Sequence, residues 1–160
     1  MDQVVLKDLM PGDAGWVVEQ HALVYTQEEG FDVSFEGLVA EIVGKFVQNH
    51  DSSCERGWIA WAGGQRVGCI FCVKDSDQMA KLRLFLTVPQ ARGTGLGQLL
   101  LSECMNWARA RGYPLMRLWT HESHVAACVL YARNGWRCTQ SQAVTAFGRP
   151  LVSQIWEVQL

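Results

Sequence analysis

At Pro89 the hydrophobic period of this chain changes from two to about 3.6, and a glycine-rich loop fills the join. Before the join, Ala80 to Val88 alternates. Leu82, Leu84, Leu86 and Val88 are expected on one face of a strand, and Lys81, Arg83, Phe85 and Thr87 on the other. After it, Leu96, Leu99, Leu100, Met105 and Trp107 recur at helical spacing up to Arg111, and Gly112 is placed for a left-handed cap. Between them stands Arg92-Gly93-Thr94-Gly95-Leu96-Gly97. A further strand, Leu115 to Thr120, follows the helix, so the two strands should lie parallel, joined by a right-handed crossover. The loop has a chemical consequence as well. The first amides of a helix have no partner within it and carry partial positive charge, and glycines let a ligand approach the backbone, so an anion is expected here. The glycine spacing alone also suits a dinucleotide-binding turn. That fold, however, expects an acidic residue at the end of the next strand, which here ends at Trp119-Thr120.

The remaining elements follow from the same signals. Gln3 to Leu9 reads as a short strand; Pro11-Gly12-Asp13 then starts a helix to about Glu28 that carries Trp16, Val17, Leu23 and Val24. Ser34 offers the N-cap of a second helix, with Leu38, Ile42 and Phe46 at helical spacing before Asn49-His50-Asp51. Trp58 to Ala62, Gly63-Gly64-Gln65 and Val67 to Val73 read as strand, tight turn and strand. Ser123 to Arg133 is a helix, and two strand-like runs surround Gly148-Arg149-Pro150. The order predicts an α+β fold: a mixed, mainly antiparallel twisted sheet of about seven strands flanked by about four helices, in one domain covering residues 1–160.

Composition excludes several classes of function. A formal net charge of -2 and a pI near 6.1 leave no basic surplus for nucleic acid. No apolar stretch approaches the roughly 20 residues needed to span a bilayer, and Met1-Asp2-Gln3 does not open a signal peptide, so no membrane partner and a cytoplasmic location are expected. The six cysteines are then expected to be reduced; Cys69 and Cys72 have the spacing of a redox or metal pair, but they sit in a strand and no second ligand pair accompanies them. No metal is expected. Monomer and homodimer both remain open.

Arg92, Gly95 and Gly97 match the Gln/Arg-x-x-Gly-x-Gly/Ala motif of the GNAT superfamily of acetyl-CoA-dependent N-acetyltransferases, which the chain resembles. Ala127, Leu130-Tyr131 and Asn134-Gly135-Trp136 resemble that family's Ala-x-x-Leu-Tyr-x-x-x-Gly-Phe segment at the usual separation. Lys81-Leu82-Arg83-Leu84 and Leu118-Trp119-Thr120-His121 are similar to the acetyltransferase half of MarR–GNAT fusion proteins.

The resemblance implies acetyl-CoA as co-substrate and direct transfer to a primary amine. It implies that the main chain from Arg92 through Gly93, Thr94, Gly95, Leu96, Gly97 and Gln98 holds the pyrophosphate. Leu86, Thr87 and Val88 would pair with the pantetheine arm. Tyr131 aligns with the tyrosine that meets the thioester sulfur, and Thr120 and His124 complete the cofactor-binding set. His124 stands where the family often has asparagine. Glu28 and Glu29, between the first two helices, are the favoured general bases, with His21, His121 and Glu122 also candidates by type. Lys81 and Arg83 share a strand face and could hold a carboxylate of a small acceptor. A protein amine as acceptor, or a non-catalytic acyl-CoA sensor, are the alternatives.

Overall fold

The structure, a computed structural model describing residues 2–160, contains strand β1 (Val5–Lys7), helices α1 (Asp13–Glu29) and α2 (Val33–Asn49), and strands β2 (Arg56–Ala62), β3 (Gln65–Ser76) and β4 (Met79–Thr87). Helix α3 (Leu96–Ala110), strand β5 (Leu115–His121), helix α4 (Val125–Arg133) and strands β6 (Arg137–Ala146) and β7 (Arg149–Gln159) follow. The predicted order and α+β class hold. The strands form one mixed sheet ordered β1-β2-β3-β4-β5-β7-β6, in which only the β4–β5 pair is parallel.

Three local expectations are corrected. The N-cap of α2 is Asp32, whose Oδ1 accepts from the Ser34 amide at 3.0 Å; Ser34 lies inside the first turn. The buried stripe of α2 is Phe35, Val39, Val43 and Phe46, which leaves Leu38 and Ile42 half-buried on its flank. Likewise α1 buries Asp13, Val17, His21 and Val24, an i, i+4, i+8, i+11 stripe, while Leu23 is exposed. Asp13 is tolerated inside because its carboxylate is fully used: Oδ2 accepts from the Met10 amide at 2.7 Å and Oδ1 from Arg66 at 2.7 Å.

The sheet separates two apolar cores. Leu100, Leu101, Cys104, Met116, Leu118 and Tyr131 belong to the α3/α4 side. Val17, Phe31, Phe35, Val39, Val43 and Phe71 belong to the α1/α2 side. Cys69 and Cys72 fall on opposite sides, so the Cys-x-x-Cys spacing never brings its two thiols together.

The alternation expected along β4 breaks at Leu84. Arg83 pairs with Phe71, but Leu86 pairs with Cys69, so β4 carries one residue more than its partner. Leu84 absorbs the bulge with φ 52°, in the left-handed region a leucine seldom enters. Its carbonyl accepts from the Cys69 thiol at 3.2 Å. As a result Leu82 packs with the α3/α4 core, whereas Leu84, Leu86 and Val88 pack with the α1/α2 core and Phe85 turns toward α3/α4. The single predicted face of leucines is therefore two faces.

Candidate active site

The bulge opens a gap in the middle of the sheet. Strands β4 and β5 pair only from Met79–Leu115 to Leu82–Leu118, while β5 stays paired with β7 as far as His121–Ser153. Beyond Leu82, β4 has no strand partner on its β5 side as far as Thr87, the kind of edge that an extended amide-bearing ligand completes.

At the top of that gap β4 runs through a 3-10 turn (Pro89–Ala91) into the glycine-rich loop. Gly93 (φ 75°) and Gly95 (φ 86°) take left-handed conformations, and Gly95 caps α3 without any side-chain acceptor. Among the described residues, none of the six amides from Gly93, Thr94, Gly95, Leu96, Gly97 and Gln98 donates to a protein acceptor; the ladder begins with Leu99 N to Gly95 O at 3.0 Å. Six adjacent free donors at a helix N-terminus form a site for a multiply charged anion. A Cβ at Gly93 or Gly95 would meet nothing within 4 Å, and one at Gly97 would make ordinary contacts with Leu130 at 3.5 Å and Phe85 at 3.8 Å. The space beside Gly93 and Gly95 is thus clear of protein.

The side chains of this loop are already committed. Thr94 Oγ1 donates to Ala91 O at 2.6 Å. Gln98 exchanges amide hydrogen bonds of 2.8 and 3.0 Å with Asn134, tying the start of α3 to the end of α4. Arg92 reaches across to α1, with Nη1 and Nη2 on the Glu28 carboxylate at 2.5 and 3.2 Å. Glu28, one of the two favoured bases, therefore spends both oxygens on Arg92 of the glycine-rich loop.

Tyr131 lies on α4 at the α3/α4 side of the gap, 4 % exposed, its ring against Phe85 (6.3 Å), Trp136 (5.8 Å) and Trp156 (6.1 Å). Its hydroxyl finds no hydrogen-bond partner among the described residues and yet is not one of the sealed, unpartnered polar atoms, so it keeps some access from outside the core. Burial pushes its pKa far up, with Tyr25 and the Cys128 and Cys104 thiols adding to the effect. The phenol stays protonated.

On the α1/α2 side, Glu29 Oε1 lies 3.6 Å from His124 Nε2, and the His124 Nδ1 lies 3.1 Å from Thr120 Oγ1. His121 packs edge-on against His124 at 5.4 Å, and Tyr25 of α1 does the same at 5.0 Å. Burial lowers both imidazoles to about 4; for His121 the charge of His124 adds and Glu29 opposes, and for His124 Glu28 opposes. Both rings are neutral near pH 7. Tyr25 escaped the sequence reading, although its spacing from His21 and Glu29 (i-4, i+4) puts all three on one helical face. Burial is the main cause of its raised pKa, followed by Cys69, Glu29 and Glu28. A cavity of about 760 Å³ opens beside Glu29, between the α4 N-terminus and the β6–β7 hairpin.

Further down the same face, Lys81 lies in register with Arg117, while Arg83 and the exposed Trp119 each follow the last paired residues of the two strands, Leu82 and Leu118. Arg117 is paired with Asp75 (3.4 Å) and Glu157 (3.2 Å), but among the described residues neither Lys81 nor Arg83 has an ion pair or a side-chain hydrogen bond. Burial and then the Arg83 charge lower the pKa of Lys81.

The fold has close counterparts among solved structures. An acetyltransferase from Streptococcus agalactiae aligns at TM-score 0.81 and 20 % identity over 98 % of both chains. A ribosomal-protein-alanine N-acetyltransferase from Brucella melitensis aligns at 0.76 and 18 % over 98 % of this chain and 99 % of its own. A Salmonella typhimurium chain assigned as an acetyltransferase, solved with its cofactor acetyl-CoA, aligns at 0.75 and 17 % over 99 % of this chain and 94 % of its own. These identities speak to fold alone. No curated protein sequence matches significantly. The model of the acetyltransferase (GNAT) family matches residues 20–136, a span that contains the C-terminal half of α1, the strand gap, the free amides after β4 and Tyr131. The chain therefore belongs to the GNAT family and is an acetyltransferase that draws its acetyl group from acetyl-CoA.

Proposed function

We propose that the acceptor is a small primary amine that also bears a carboxylate. The observation carrying this reading is the pair Lys81 and Arg83, two partly covered cations without an ion-pair partner among the described residues, on the face where β4 and β5 part and beside the exposed Trp119. Asp75 offsets the burial of Lys81 and the charges of Arg83 and Arg117 only in part, and a cation held next to like charge gains from an anionic ligand. A carboxylate on Arg83 would aim the amine of such an acceptor up the gap, toward the thioester.

The other roles in this proposal follow from the placement of each group. The amides of Gly93 to Gln98 hold the pyrophosphate of acetyl-CoA, with Arg92 at its edge, and the open edge of β4 at Leu86, Thr87 and Val88 takes the pantetheine amides. Thr120 and His124 border the same gap. Acetyl-CoA supplies the activated acyl group; the protein supplies orientation, a donor for the departing sulfur and an acceptor for the amine proton. Tyr131 is the donor. Glu29 is the acceptor, since Glu28 is taken by Arg92.

The test is release of free coenzyme A thiol across a panel of amines with and without carboxylates, including peptides with a free N-terminus. Carboxylate-bearing amines are expected to be the best substrates. Arg83→Ala is expected to raise their KM by roughly 10-fold or more, the worth of a charge-assisted hydrogen bond, with the KM of acetyl-CoA unchanged. Equal effects on both constants would remove Arg83 from the acceptor site. Preference for peptides would point to a protein acceptor, and acetyl-CoA binding without turnover of any amine would mark a sensor.

A further inference from the structure

The imidazole of His124 is mostly buried, its side chain 15 % exposed, and its Nε2 is a sealed polar atom with no hydrogen-bond partner among the described residues. A buried polar atom left unpaired costs stability, so one that faces a carboxylate at 3.6 Å is poised to gain a partner when the site tightens. Its other nitrogen, Nδ1, is already within reach of the Thr120 hydroxyl at 3.1 Å. These two contacts choose the tautomer. A neutral imidazole has one N–H and one lone pair; an N–H on Nδ1 would leave the Nε2 lone pair directed at the Glu29 carboxylate, lone pair against anion. With the Thr120 hydroxyl donating to Nδ1, the N–H sits on Nε2 and points at Glu29 Oε1.

We infer that Thr120 and His124 are positioning residues: they fix the imidazole with its N–H on Nε2, and that N–H orients the Glu29 carboxylate toward the acceptor amine. The inference rests on the reading of Glu29 as the base. Competing partners for the carboxylate are otherwise engaged. Arg149 donates to the main-chain oxygen of Glu29, and Arg92 is held by Glu28. Glu29 is half-buried, 17 % exposed at its side chain, and lines the cavity beside the β6–β7 hairpin, so its second oxygen is available to a ligand there. The anchoring follows the same pattern as a histidine oriented by a second group behind it, with the order of the partners reversed.

Two side chains separate the nitrogens. Asparagine at position 124 retains a polar group near Nδ1 for Thr120 but nothing at Nε2; glutamine carries its amide nitrogen near the Nε2 position. His124→Asn is expected to lower kcat by roughly 10-fold or more while acetyl-CoA affinity stays within about twofold, and His124→Gln to recover most of the loss. The nitrogen-15 spectrum of the imidazoles in the ligand-free protein is expected to show His124 protonated at Nε2 and bare at Nδ1. A proton on Nδ1, or a full kcat in His124→Asn, overturns the inference; so does a loss in the glutamine variant as large as in the asparagine one. Glu29→Gln tells the two failures apart. If it abolishes turnover while the spectrum shows the Nδ1 proton, only the positioning role falls; if it leaves kcat intact, the base assignment falls and the inference with it.

Discussion

Tyr131→Phe is expected to lower kcat by about 10- to 100-fold and to leave the dissociation constant of acetyl-CoA within about twofold, because the phenol hydroxyl, unpartnered among the described residues and not sealed, is the only group the substitution removes. The ring itself is packing: Phe85, Trp136 and Trp156 surround it, and phenylalanine keeps those contacts. The size of the effect follows from what the hydroxyl can do. Its pKa is raised far above that of a free phenol, whereas a thiol has an ordinary pKa near 8.5. Full proton transfer from this phenol to a departing thiolate is therefore uphill. In the proposed mechanism the hydroxyl is instead a hydrogen-bond donor to the charge developing on sulfur, a contribution of about 1.5–3 kcal/mol for a bond to a charged group. Paired measurements of turnover and of acetyl-CoA binding by calorimetry check it. A wild-type kcat in the variant removes Tyr131 from the mechanism, and a large loss of affinity with kcat intact makes it a binding residue.

Periodicity and glycine placement made the architecture legible because the sequence determines them locally. The switch at Pro89 marked the parallel crossover, and Gly95 marked the helix start where six amides stand free. What the residues could not disclose depends on neighbours distant in the chain. Leu82, Leu84, Leu86 and Val88 alternate without fault, and nothing in them announces a bulge; the extra residue shows only when β4 is laid against β3, where Leu86 pairs with Cys69 and Arg83 with Phe71. That bulge lets β4 leave β5, so the site's central feature is invisible in the alternation that predicts the strand. Glu28 and Glu29 were equivalent by type. Their adjacency on α1 sends one to Arg92, 64 residues away, and the other to His124 on the far side of the gap. The buried stripes of α1 and α2 were displaced for a related reason. Several apolar residues on each helix offer rival stripes, and the sheet accepts the one centred on Val17 and Val24 in α1 and on Val39 and Val43 in α2.

That stripe of α1 contains His21, and the consequence is a marked acid sensitivity of the fold. His21 is 3 % exposed; its Nδ1 donates to the Val17 carbonyl at 2.8 Å and its ring stacks on Tyr25 at 5.9 Å. Burial lowers its pKa from 6.5 to about 4, and the hydrogen bond to Val17 opposes this only in part. In the unfolded chain the same imidazole titrates near 6.5, so between pH 6.5 and 4 the unfolded state binds the extra proton. Stability therefore rises with pH through that window and is fully present above it. Lowering the pH from 7 to 4 costs about 3 kcal/mol at this one site, a large share of the 5–15 kcal/mol that holds an ordinary domain together. His121 and His124, lowered to the same range, lose in the same direction. Urea unfolding at pH 7 and at pH 4, on the wild type and on His21→Phe, isolates the His21 share. Phenylalanine keeps the stacking on Tyr25 but has no proton to gain, so the variant is expected to lose about 3 kcal/mol less than the wild type over that interval. Acid losses of equal size in the two proteins would mean that His21 is not held neutral in the folded state.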